Sequence, residues 1–111
     1  LSIMGCILQA TSGSVLIGDQ EIVGLPEKKL PKVRLRHFGF VFQGFHLLPR
    51  ADALRNVMMP LEYAASYGGR MRKADMIDRS ASVLDQVGLR ERMHHRPNEL
   101  SGGQRQRVAV A

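Results

Sequence analysis

An α/β fold carrying an inserted helical subdomain is what these 111 residues predict. Three observations carry that expectation. Residues 38–42, Phe38-Gly39-Phe40-Val41-Phe42, form an apolar run of the kind found in strands covered on both faces. Residues 53–67 and 73–87 carry apolar side chains at helical spacing. Gly102-Gly103 then leads into a further stretch that reads as the start of a helix. Strands first, a helical stretch next and another helix last make an α/β order.

Taken in order, Leu1 to Leu8 reads as the end of a buried helix. It has neither the preceding positive segment nor the cleavage site of a signal peptide. Thr11-Ser12-Gly13 marks a turn. Ser14 to Ile17 reads as a short strand closed by Gly18-Asp19, and Glu21 to Gly24 as a second strand or an extended link. Pro26 and Glu27 suit a helix start. Pro31 should disturb that helix, leaving a short or irregular one over 32–36. Gln43 to Pro49 is a loop by its glycine and proline. Asp52 is a natural N-cap for a helix over 53–67, with Leu54, Val57, Met58, Leu61 and Ala64 on its apolar face. Pro60 should kink that helix, and Gly68-Gly69 should end it. The helix over 73–87 should bury Ala74, Ile77, Ala81, Leu84 and Val87, with Gly88 as its stop. Arg90 to Pro97 is a polar connector with room for one helical turn.

Composition narrows the classes. Hydrophobic residues are 44% and charged residues 23%, which excludes a disordered chain. The single cysteine, Cys6, excludes an internal disulfide framework. No apolar run reaches the ~20 residues of a spanning helix. Sixteen Lys and Arg against ten Asp and Glu give a net charge of +6. These cations are scattered from Lys28 to Arg107, and the chain has no Trp and two Tyr. A nucleic-acid footprint would cluster them among aromatics, so a solvated surface is the simpler reading and no nucleic acid is expected. The chain opens at Leu1 and stops at Ala111 inside an apolar-rich pattern, so both ends are expected to be cuts in a larger protein.

The chemistry concentrates at Leu100-Ser101-Gly102-Gly103-Gln104, directly before a helix. Two glycines allow backbone amides to approach a ligand closely, and the Ser101 hydroxyl can donate. A helix N-terminus carries partial positive charge and unpaired N–H groups, so a phosphate is a natural guest. Alone, Ser-Gly-Gly is more simply an N-cap with a glycine turn. Other constellations are weaker. His94-His95 has no cysteine or carboxylate at ligand spacing and reads as a solvated pair. Ser101 lacks the flanks of a G-x-S-x-G nucleophile. The phenylalanines and methionines read as core.

The run from Leu100 to Ala111 resembles the signature motif of the ABC-type ATPases and the helix after it. Phe40-Val41-Phe42-Gln43 with Leu47-Leu48-Pro49 resembles the Q-loop of the same family, and Thr11-Ser12-Gly13 the turn after its first helix. The three motifs stand in family order, and the resemblance covers essentially the whole chain. Gln43 and Ser101 lie 58 positions apart without sustained heptads. That spacing suits a compact transporter-type helical subdomain rather than a coiled-coil insertion. Asn56-Val57-Met58-Met59-Pro60-Leu61 is similar to the lipoprotein-release and macrolide-export branch. Some positions depart from the usual pattern. Arg55 stands where Glu is common, Asp52 near a common Thr, and Gln9-Ala10 where a basic residue and Pro are usual. Gly18-Asp19 reverses the usual order, and Pro31 falls in a normally helical segment.

The resemblance implies a partial P-loop NTPase of the ABC ATPase type. Residues 1–50 would be part of the core sheet and Q-loop, 51–100 the helical subdomain, and 101–111 the signature and the start of its helix. It implies ATP and Mg²⁺ as cofactors, with Gln43 sensing the metal and the attacking water. Ser101, Gly102 and Gly103 would contact the γ-phosphate across a head-to-tail dimer, supported by Gln104. A second ATPase domain and a transmembrane permease would be the partners, and the cytoplasmic face of the membrane the location. No G-x-x-x-x-G-K-[ST] occurs in the chain, and no strand ending in Asp-Glu follows the signature. The 111 residues alone should therefore be inactive. The alternatives are a basic module binding anions or nucleic acid, or an inactive truncated relative.

Overall fold

Gly18 carries φ +58°, and the chain reverses there. β1 (Leu16–Ile17) thereby pairs antiparallel with β2 (Gln20–Glu21), with Leu16 opposite Glu21 and Ile17 opposite Gln20. The computed structural model describes residues 2–111. They divide into two compact units, one ending at Phe40 and the other spanning Val41–Ala111.

In the first unit the hairpin is bracketed by one carboxylate. Glu21 accepts hydrogen bonds from the Ser14 hydroxyl, from Val15 N at 2.9 Å and from Val23 N at 3.0 Å. The Ser14 bond first, then the two amides, hold the Glu21 carboxyl below its ordinary range. A lowered folded pKa means that this contribution is present above the ordinary carboxylate range and is lost as pH falls through the folded value. An NMR titration should therefore show the Val15 and Val23 amides moving together with Glu21, with a midpoint below that of an unperturbed glutamate. A midpoint at or above the ordinary value would contradict the bracket.

Pro26 precedes a 3-10 turn at Glu27–Lys29, which runs into α1 (Leu30–His37). Pro31 does not shorten α1 as expected. It lies in the first helical turn, where its missing N–H has no partner to lose. Cys6, Ile22, Leu30 and Val33 form the core of this unit, with Val15, Ile17, Leu25 and Phe38 packed against it.

Two expectations fail here. Residues 2–8 are turns and bends, not a helix end, and Leu1 lies outside the described residues. Cys6 has φ +57°, which breaks any i→i−4 ladder, and the amides of Ile7 and Leu8 both fold back onto Ser2 O. Cys6 alone of this segment's larger apolar side chains reaches the core, its carbonyl held by Arg34 Nη1 at 2.6 Å. Residues 38–42 are not a strand either. Phe38 packs inward, but Phe40, Val41 and Phe42 are 38%, 55% and 46% exposed. A strand needs a neighbouring strand to form a ladder, and among the described residues the sheet consists of β1 and β2.

The second unit is helical. α2 (Ala53–Ser66) continues through Pro60, and α3 (Lys73–Gln86) packs against it. Both helices end in the same way. Gly69 N bonds Ala64 O and Gly68 N bonds Ala65 O; Leu89 N bonds Leu84 O and Gly88 N bonds Asp85 O. Each pair is a Schellman closure, which needs the left-handed φ of +93° at Gly68 and +72° at Gly88. The second closure turns Leu89 back onto Leu84. Both are buried, with Ala53, Leu100 and Val108, in the core of this unit.

The expected face of α2 holds, with Met58 buried and Leu54, Val57, Leu61 and Ala64 half-buried. That of α3 is rotated in its first half. Met76, Ser80 and Leu84 are buried, whereas Ala74 is exposed and Ile77 is 37% exposed. The small Ser80 occupies a position where an apolar pattern would place a large residue.

Candidate functional site

Gln104 and Ser101 hold one another. Ser101 N donates to Gln104 Oε1 at 2.8 Å, and Gln104 N donates to Ser101 Oγ at 3.2 Å. This reciprocal cap starts α4 (Gly102–Val110) and leaves the Ser101 hydroxyl proton free to donate elsewhere. A similar bracket lies one turn earlier, where Glu99 Oε2 accepts from Arg96 N at 2.7 Å across the Pro97–Glu99 turn. Leu100, between the two brackets, is sunk in the core, and Val108 anchors α4 from the other side. The exposed tip, Ser101-Gly102-Gly103, is thus pinned at both ends.

Gly102 and Gly103 are the first residues of α4, where amides have no intrahelical acceptor. Neither amide donates to another atom among the described residues. A Cβ on either glycine would meet nothing within 4 Å, and neither has a left-handed φ. Nothing in the chain's own backbone or packing requires glycine at these two positions. Glycine lowers helix stability against alanine, by about 1 kcal/mol in a helix interior. The absent side chains instead keep two outward N–H groups open to a ligand. An anion with several acceptor oxygens, such as a phosphate, fits that donor set.

Gln43 lies in the same unit, in an exposed turn. Phe45 N closes that turn onto Phe42 O at 2.9 Å, and His46 N bonds Gly44 O at 2.7 Å. Phe45 and His46 both take left-handed φ values, +59° and +45°. The His46 ring stacks on Phe42 with centroids 4.8 Å apart. The Gln43 amide makes no side-chain hydrogen bond among the described residues. Leu47 then packs against the core that holds Leu100 and Val108. One apolar cluster therefore supports both the Gln43 loop and the signature turn.

Sequence reasoning missed the residues that secure the start of α2. Ala53 N donates to His95 O and Leu54 N to Met93 O, each at 2.9 Å. Arg55 N donates to Asp52 Oδ1 at 2.8 Å, the cap expected from Asp52. His94 Nδ1 stands 3.6 Å from Asp52 Oδ2, and His95 Nε2 3.1 Å from Arg92 Nη1. Beside the Asp52 cap, two of the first amides are taken by backbone carbonyls, which leave no mark in a side-chain pattern. Among the described residues no group of three His, Cys, Asp or Glu could hold a metal, and no helix is long and apolar enough to cross a membrane.

The family model for ABC transporters matches residues 1–111, and the chain belongs to that family. It is similar over all its 111 residues to an uncharacterised ABC transporter ATP-binding protein of Thermotoga maritima, at 46% identity. It covers 45% of that protein. It is 42% identical over its whole length to the macrolide export ATP-binding/permease protein MacB of Burkholderia pseudomallei, covering 16% of it. Among solved structures it resembles the dimeric ATP-binding cassette MJ0796 bound to ADP and Pi. There the TM-score is 0.83 at 39% identity, covering 98% of this chain and 47% of that one. The fold is that of the ABC-type P-loop ATPases, and the chain spans less than half the length of each of these relatives.

Proposed function

We propose that this chain is part of the ATP-hydrolysing subunit of an ABC transporter of the export or lipoprotein-release branch. The observation that carries the reading is the pair of free amides at Gly102 and Gly103, where the chain itself has no use for glycine. Ser101, Gly102 and Gly103 hold the γ-phosphate of an ATP bound on a second, head-to-tail ATPase domain, and Gln104 keeps Ser101 in place. ATP supplies the phosphoryl group, and positioning and charge neutralisation are what the protein contributes. Gln43, with a side-chain amide free of other bonds among the described residues on a closed turn, would hold Mg²⁺ and the attacking water, the metal supplying charge neutralisation at the phosphate. The dimeric, ADP-bound state of the similar cassette supports pairing, and the permease in the name of MacB supports a membrane partner.

A shallow, mostly apolar hollow of about 500 Å³ lies at Leu48, Pro49, Arg50, Ala51 and Arg55, next to the Gln43 loop in sequence. It suits the docking of that permease, which would hold the subunit at the cytoplasmic face of the membrane. Residues 1–50, 51–100 and 101–111 then serve as sheet and Q-loop, helical subdomain and signature.

The test is nucleotide-driven pairing of the full-length protein. Light scattering with ATP and no divalent metal should show the mass doubling, reversed by ADP. A mass indifferent to ATP would overturn the reading. The 111-residue chain, with no phosphate loop among its residues, should release no phosphate from ATP; Mg²⁺-dependent release by the pure chain would overturn it equally.

A further inference from the structure

The geometry points to Asn56 as a positioning residue that sets Gln43 through the loop between them, an inference resting on the role proposed for Gln43. Asn56 sits in the first turn of α2 and is 8% exposed. Its carboxamide spends every strong bond on the chain just upstream. Oδ1 accepts from Leu48 N at 2.7 Å. The two Nδ2 hydrogens are shared among Asp52 O at 2.9 Å, Ala51 O at 3.1 Å and Leu48 O at 3.3 Å. Leu48 is therefore gripped on both its N–H and its C=O by one side chain.

The loop this grip controls is irregular along its length. Leu48, Pro49 and Arg50 are exposed, and no sheet ladder crosses the segment. Its other anchors include Leu47 in the core, the Phe42–His46 stack, the turn bonds at Phe45 and His46, and Ala51 N on Leu48 O at 3.2 Å. Two left-handed residues in succession, Phe45 and His46, each hold a conformation disfavoured for a side chain with a Cβ. Such a turn persists only when its ends are held. Asn56 holds the far end, and Gln43 stands at the near end.

The helix that carries Asn56 is itself fastened from the signature side. His95 O and Met93 O cap Ala53 and Leu54, and the chain passes from there through the Arg96–Glu99 bracket to Ser101. Asp52 O receives both the Asn56 amide and its side chain. A single turn of α2 thus meets the loop bearing Gln43 through Asn56 and the arm bearing Ser101 through the Ala53 and Leu54 amides.

The experiment is a double-mutant cycle in the full-length ATPase, with Gln43→Ala, Asn56→Ala and both together. The readouts are the Mg²⁺ concentration for half-maximal turnover, the ATP KM and the melting temperature. Asn56→Ala should raise the Mg²⁺ requirement on the order of tenfold, as misplacement of a catalytic group does, and leave the ATP KM within about twofold. The double variant should match Gln43→Ala alone, because both changes remove the same action. A lower melting temperature with an unchanged Mg²⁺ requirement, or additive effects in the double variant, would overturn the inference. If Gln43→Ala leaves the Mg²⁺ requirement unmoved, the role given to Gln43 fails first, and that of Asn56 with it. Should Asn56→Ala not fold, hydrogen exchange on the unaltered protein decides. The Leu48 amide should exchange slowly despite its exposed loop, and fast exchange would overturn the grip.

Discussion

Ser101→Arg in the full-length protein is expected to abolish ATP-driven pairing while single-domain nucleotide binding survives. The variant acts three times at one point. It removes the acceptor for Gln104 N, a loss of about 1 kcal/mol for a helix cap. It places a guanidinium at the positive end of α4. It fills the space that Gly102 and Gly103 leave open. ATP turnover should fall by about 10²–10³-fold, the effect of losing a preorganised donor to developing charge. Ser101→Thr keeps both the cap and the hydroxyl and should pair nearly as the unaltered protein does. Light scattering with ATP checks pairing, and a fluorescent nucleotide checks binding. Undiminished pairing of the arginine variant would remove Ser101 from the interface between domains.

The contrast between the two units explains what the sequence made legible. Helix ends were readable because local chemistry sets them. Asp52, Gly68-Gly69, Gly88 and Ser101 each act within a few residues of themselves, through a cap or a left-handed turn. The Ser101 cap was readable for the same reason, whereas the ligand role expected of the turn came from the family resemblance. Residues 38–42 were misread because a strand is a relation to a neighbour, and an apolar run does not specify one. Residues 2–8 were misread because the left-handed backbone at Cys6 has no signature in a run of apolar residues. Asn56 escaped as a site residue because its partners are all backbone atoms, and a buried asparagine looks in sequence like any polar position on a helix.

The rotated face of α3 gives the other large effect. Periodicity alone places Ile77 and Leu84 on one face and predicts similar costs for removing either. The structure separates them: Leu84 is 0% exposed and Ile77 37%. Leu84→Ala should destabilise the protein by about 3–5 kcal/mol, the transfer term plus the cavity left among the buried Ala53, Leu89, Leu100 and Val108. Against a typical total of about 5–15 kcal/mol, that is a large share. Ile77→Ala should cost about 1 kcal/mol or less. Urea unfolding of both variants measures the difference, and equal costs would contradict the packing of α3. Because Leu84 shares its cluster with Leu100 and Val108, which flank Ser101 and its glycines, the consequence reaches the site. Leu84→Ala should weaken ATP-driven pairing even where the variant remains folded, whereas Ile77→Ala should leave pairing unchanged.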